Sequence, residues 1–184
     1  MSQLRLNLSM VATTMAIFVI ALVVNELLFT KLEFAAGINW IYLPAGIRLL
    51  CTLLFAEAGA VGLLLISWLV CFLYFFPNDP VRSFAGGILA SAAPYLVYLG
   101  AQKYFGLRAT LTNLSPARLL HCAVAFSLAS PLFHHLWFAT YEHRSNLAAS
   151  FLAMAIGDFF GTVIVLYSAK FALDKLDQRK SKHV

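Results

Sequence analysis

Two charged residues stand where lipid-facing sequence would exclude them. Asp158 lies in Ala155-Ile156-Gly157-Asp158-Phe159-Phe160-Gly161-Thr162, near the middle of an apolar run from Leu147 to about Leu173 that is long enough to cross a bilayer. A carboxylate at the centre of such a helix costs roughly 2.5–3.5 kcal/mol on insertion scales, so it is expected to face protein, pair with a cation or line a wet cavity. The matching cation is Arg48, inside the other apolar segment with an internal charge. Two uses of the couple follow from its chemistry. In one it is a buried salt bridge pinning the second helix to the last, with Gly157 and Gly161 offering a small-xxx-small surface for close backbone approach. In the other the two charges border a polar cavity that binds a ligand or relays a conformational change. Both stay open at the level of sequence.

Glu26, after Asn25, falls near the outer end of the first apolar run, and Glu57 falls at a turn. Interface positions hold carboxylates at little cost, so Glu26 is the weaker ligand or coupling residue and Glu57 reads as solvated. Histidines gather around one segment: His121 near its start, His134 and His135 near its end, His143 just beyond. Two axial haem ligands must come from facing helices at matching depth. Here the embedded histidines share one helix, with His121 separated from His134 by about 13 residues, or nearly 20 Å of rise. No cofactor or metal is therefore expected, and His134 and His135 are read as interhelical hydrogen-bonding or ligand-contact residues. The three cysteines, Cys51, Cys71 and Cys122, are odd in number, lie in apolar segments and lack metal-ligand spacing, so buried thiols are expected.

Signatures of catalysis are missing from the sequence. It has no G-x-S-x-G, no H-E-x-x-H and no glycine-rich phosphate loop. A non-enzymatic role is expected.

The elements that must position these residues follow from composition. The chain of 184 residues is 61% hydrophobic and 11% charged, against about 25% charged in soluble domains, and its mean hydropathy is +0.83. That is the composition of an all-α, polytopic membrane helical bundle, whose first partner is the lipid bilayer. The net charge of +5 reports topology in such a protein and does not point to nucleic acid. Hydropathy and helix breakers give about six transmembrane helices: 9–30, 43–57, 59–76, 83–105, 116–138 and 147–173. The second is short and starts at Leu43-Pro44, with Pro44 suited to a first helical turn. Only Glu57-Ala58-Gly59 separates it from the third, so the pair is expected to form a tight hairpin or a partly re-entrant helix. Pro77-Asn78-Asp79-Pro80 is a turn cluster, and in Asn113-Leu114-Ser115-Pro116 the serine is placed to cap the fifth helix.

Domain organisation then reads as a leader over 1–8, one transmembrane domain over 9–173 and a basic tail over 174–184. With the amino terminus cytoplasmic, nine Lys and Arg fall inside: Arg5, Lys103, Arg108, Arg118, Lys170, Lys175, Arg179, Lys180 and Lys182. Lys31, Arg82 and Arg144 fall outside, which favours both termini in the cytoplasm.

Asn39-Trp40-Ile41-Tyr42-Leu43-Pro44-Ala45-Gly46-Ile47-Arg48-Leu49-Leu50, continuing through Leu53-Leu54-Phe55 to Gly59, resembles the W-x-P-A-G segment of the MASE1 membrane-associated sensor family. Gly157-Asp158-x-x-Gly161 is similar to that family's late G-D-x-x-G motif, in the same order along the chain. The resemblance carries Pro44, Gly46, Gly157, Asp158 and Gly161; Arg48 lies inside the first motif without a position in the family pattern. Members generally have about eight helices and an attached cyclase, phosphodiesterase or kinase, so the resemblance implies a stand-alone, sensor-like or scaffold module acting through a membrane or cytoplasmic protein partner. The expected role is thus an accessory subunit, multi-pass in a bacterial inner membrane. A transport component is the alternative, because Ala12-x-x-x-Ala16 resembles the small-residue contact motif of energy-coupling-factor substrate-binding subunits. A haem or redox subunit is the third reading and rests on the histidines alone.

Overall fold

The computed structural model describes residues 2–35, 38–107, 114–143 and 146–181. Five helical segments make the bundle: α1 Gln3–Phe29, α2 Leu43–Val70 with a wider π-type turn over Cys71–Phe75, α3 Pro80–Phe105, α4 Pro116–Trp137 with a π-type turn over Phe138–Glu142, and α5 Leu147–Ser181. Among the described residues, five helices are long and apolar enough to cross a membrane. Between α1 and α2 runs a short antiparallel ribbon of β1 Glu33–Ala35 and β2 Ile38–Asn39, in register Glu33 with Asn39 and Ala35 with Ile38.

Six separate helices are expected from hydropathy; 43–57 and 59–76 instead occur as one helical segment broken at a single residue. Ala56 has φ 52° and ψ −129°, a conformation of order 1–3 kcal/mol above the helical basin for a residue with a Cβ. The break is a reversal. A Cβ on Gly59 would strike the carbonyl oxygen of Cys51, eight residues back, which a straight helix would carry about 12 Å away. Ile47 and Cys51 before the break share a core cluster with Leu63 and Ile66 after it. The short second element was legible as a hairpin arm; its first leg, 43–55, has about 13 residues and rises only about 20 Å.

Other boundaries follow local chemistry. Asp79 Oδ1 accepts from the Arg82 amide at 2.9 Å and Ser115 Oγ from the Arg118 amide at 3.3 Å, each followed by a proline at the first helical position. Ser115 is the expected cap; Asn113, in the same turn, lies outside the described residues. So do Arg108, Arg144 and Lys182 of the charge count. The leader expected over 1–8 is not separate, since α1 begins at Gln3: Gln3, Leu4, Arg5 and Leu6 are good helix formers, and no proline or glycine interrupts them. Likewise α5 continues to Ser181 through the start of the basic tail.

The main core joins Tyr42, Leu49, Leu53, Ala93, Leu119, Phe126 and Leu166, from every helix pair that meets at the centre. α2 packs on α1, α3 and α5, and α4 closes against α5. Large apolar side chains such as Leu27, Leu73, Leu96, Leu132 and Phe171 point outward, the inverse of a soluble helix bundle and the arrangement that a hydrocarbon solvent selects.

Candidate functional site: a charged interior cavity

Glycines set the geometry around Arg48 and Asp158. A Cβ on Gly157 would collide with the Asn39 carbonyl oxygen and one on Gly161 with that of Tyr42, while a Cβ on Gly46 would lie 2.6 Å from the Gly161 carbonyl oxygen. Chain 39–46 is therefore pressed onto α5 along the G-D-x-x-G face, backbone to backbone, and the Tyr42 amide donates to the Gly157 carbonyl at 3.1 Å. The close backbone approach at Gly157 and Gly161 is made by the non-helical chain 39–42, and the second helix itself meets α5 at Gly46. On the opposite side α1 holds the start of α2: Asn25 Oδ1 accepts from the Leu43 amide at 2.8 Å. Tyr42 makes no side-chain cap of its own, so Asn25 serves as an N-cap supplied from another helix. Sequence pointed to Glu26; its neighbour Asn25, 1% exposed, is the embedded residue, while Glu26 is half-buried.

Within this frame Arg48 is 7% exposed and Asp158 is 1% exposed. They face one interior and Arg48 is the main opposing charge felt by Asp158, beside the Ser130 hydroxyl. The expected salt bridge is not closed. Among the described residues the ion pairs within 4.0 Å are Arg82–Glu142 and Lys170–Asp174. Arg48 Nε and Asp158 Oδ2 lack well-aligned hydrogen-bond partners, as do the hydroxyls of Ser67, which lines the cavity, and Thr162; the Ser130 hydroxyl is the one beside the Asp158 carboxylate. The guanidinium is steadied by aromatic faces instead, 5.4 Å from the Phe18 ring centre and 5.5 Å from that of Tyr42.

Arg48 lines a cavity of about 70 Å³ whose walls include Phe18, Tyr42, Ser67, Phe75, His134 and Phe138. Water needs roughly 10–15 Å³ of such space, so there is room for several molecules or a small solute. Tyr42 contributes a phenol O–H to the lining. Asp158 is outside the lining.

The mouth is built from residues that sequence reading placed elsewhere. Arg82, counted among loop cations, lies in the first turn of α3; its Nε sits 3.0 Å from Glu142 Oε1, and its guanidinium lies 3.7 Å from the centre of the Phe76 ring. The same carboxylate accepts from Trp137 Nε1 at 3.0 Å. Arg82, Phe76, Trp137 and Glu142 all line the cavity, and both π-type turns end beside it. A usable signal was present: one cation and one anion sit at the start of α3 and the end of α4, which antiparallel packing brings to the same end of the bundle.

The histidines separate. His134 lines the cavity, with Nδ1 donating to the Ser130 carbonyl at 2.9 Å, so Nε2 is the nitrogen left to face the interior. His135 turns to α5, its Nδ1 donating to the Pro131 carbonyl at 2.8 Å and its Nε2 accepting from Ser150 Oγ at 2.8 Å. His121 is exposed beside Phe105. Among the described residues no three His, Cys, Asp or Glu side chains converge as a metal site would require. Cys51, Cys71 and Cys122 are buried and free, Pro44 occupies the first turn of α2, and Ala12 and Ala16 lie on the outward face of α1. Glu57 is exposed at the reversal.

Compared with family models, curated proteins and solved structures, the chain gives no significant match to any of them.

Proposed function

We propose that this chain is a multi-pass protein of a bacterial inner membrane that holds a small ligand between its helices and communicates occupancy to a protein partner, as a sensor-like or accessory subunit without catalysis of its own. One observation carries this reading: a buried arginine lines a cavity while its Nε and the Ser67 hydroxyl in the same wall, and an oxygen of the nearby Asp158, have no hydrogen-bond partner. Buried polar groups are almost always hydrogen-bonded, and orphaning each costs about 1–3 kcal/mol. Such a cluster is retained where something else completes it. The MASE1-like segments support the reading because the glycines of both motifs are the ones that press Arg48's chain against α5. We read the two legs of α2 as separate passes, the first of them short; that reading makes six and accords with both termini in the cytoplasm, where most of the basic residues then fall.

A transport role uses the same cavity, and the outward-facing Ala12 and Ala16 would then be the seat for an energising subunit. Co-purification separates the two: an ATPase module at fixed stoichiometry supports transport, a signalling enzyme or other non-ATPase partner the sensor-like role. Ligand holding itself is tested by purifying the protein into lipid nanodiscs, denaturing it and identifying released small molecules by mass spectrometry. The comparison is Ala90→Phe, which fills the cavity from α3. A compound released by the wild type and absent from the variant is expected; identical extracts sink the proposal.

A further inference from the structure

We propose that the cavity selects a small organic monocarboxylate, its carboxylate on Arg48 and its apolar body among the aromatic walls. This rests on the ligand-holding role above and adds to it the charge and class of the ligand. Three charged side chains line the cavity: Arg48, Arg82 and Glu142. Arg82 and Glu142 neutralise one another at 3.0 Å, and the arginine is further covered by Phe76. Asp158 and Glu26, whose charges both reach Tyr42, are not part of the lining. Among the described lining residues Arg48 is thus the one cation with no carboxylate in contact, its charge offset only from outside the lining by Asp158.

The form of that charge narrows the class. A guanidinium is a flat fork of donors whose spacing matches a carboxylate in a bidentate pair. Arg48 is held between Phe18 and Tyr42 with Nε unpartnered, so the fork is already oriented before anything binds. Two further donors flank it, the Tyr42 phenol and the Ser67 hydroxyl, whose Oγ has no partner. A dianion such as a phosphate monoester would need a second free cation, and Arg82 is already taken. Beyond the polar end the walls are Phe18, Ile38, Phe75, Phe138 and Met154, which offer nothing to a hydroxylated or zwitterionic body and much to a hydrocarbon or aromatic one. The volume limits that body to a few carbons or a single ring.

Three probes that differ only at the polar end test this: benzoate, its neutral amide benzamide, and the dianion phenyl phosphate, each titrated into the full chain in nanodiscs. Trp137, in the cavity wall, supplies the fluorescence signal, and calorimetry supplies the affinity. Benzoate is expected to bind at least tenfold tighter than either relative, and Arg48→Met to abolish that preference while Arg48→Lys keeps part of it. Equal binding of benzamide would show that the charge is not read and would overturn the proposal, as would tighter binding of phenyl phosphate. Should Arg48→Met fail to fold, the three-probe ranking on the wild type decides alone. If none of the three binds, the carboxylate assignment falls. A neutral compound in the nanodisc extract would then leave ligand holding intact, whereas an extract identical to that of Ala90→Phe removes both.

Discussion

The protein contains two arginine–carboxylate couples between its helices, and they are built differently. At the mouth of the cavity Arg82 and Glu142 are closed at 3.0 Å, backed by Phe76 and by the indole of Trp137. In the interior Arg48 and Asp158 make no contact within 4.0 Å; a side-chain nitrogen without a well-aligned hydrogen bond is common to both couples, at Arg48 Nε and at Arg82 Nε. A pair in contact cancels its charge in place and acts as a clasp. An open one keeps its charge for another molecule, at a standing cost in stability. The contrast separates structure from function more clearly than the presence of a buried charge does.

The widest test strikes the backbone contact on which the interior couple depends. Gly161→Leu places a side chain against the Tyr42 carbonyl; backbone cannot yield as a side-chain tip can, and the expected loss exceeds about 3 kcal/mol, read as loss of monodisperse protein in detergent. Next comes the clasp. Arg82→Ala or Glu142→Ala should each cost about 2 kcal/mol, between the values for exposed and fully buried pairs, with the charge-exchanged double variant recovering part of it in thermal unfolding. A clasp that can be opened without loss of melting temperature would erase the distinction between the two couples. Asn25→Ala removes the cap that α1 lends to α2 and should cost about 1 kcal/mol, checked by melting temperature and by faster amide exchange at Leu43. The smallest effect is expected at the open couple: Arg48→Met with Asp158→Asn should melt within about 1 kcal/mol of the wild type, because replacing buried charges that are not mutually satisfied removes a desolvation cost along with their attraction. A loss as large as that at the clasp would mean that the couple is structural after all.

Much of this was legible. The couple itself, the Gly157 and Gly161 face, the Ser115 cap and a hairpin near Glu57 all follow from residue type and short spacing, because each depends on forces acting within a few residues or on the expulsion of charge from lipid. Three features were not. The clasp depends on which helix ends meet in space, and nothing in the sequence neighbours of Arg82 marks it as paired. Asn25 caps a helix 18 positions away, beyond the reach of any local capping pattern. Whether Arg48 and Asp158 touch is decided by ångström-scale placement, to which hydropathy is blind.

The extended chain ahead of α2 also bears on how such a protein is assembled. Residues 38–42 are non-helical, with Ile38, Asn39 and Tyr42 buried, and backbone of this kind persists at membrane depth only when protein, not lipid, surrounds it. Its shelter is α5, through the Gly157 carbonyl that takes the Tyr42 amide. Helix α5 leaves the ribosome after every other span described here. Until it arrives, the strap has neither its hydrogen bond nor its cover, so the nascent protein must keep this segment at the membrane surface or in the care of an insertase. Met154 is what α5 adds to the cavity wall; the helix's larger part is to seat the strap that carries Ile38 and Tyr42 into that wall.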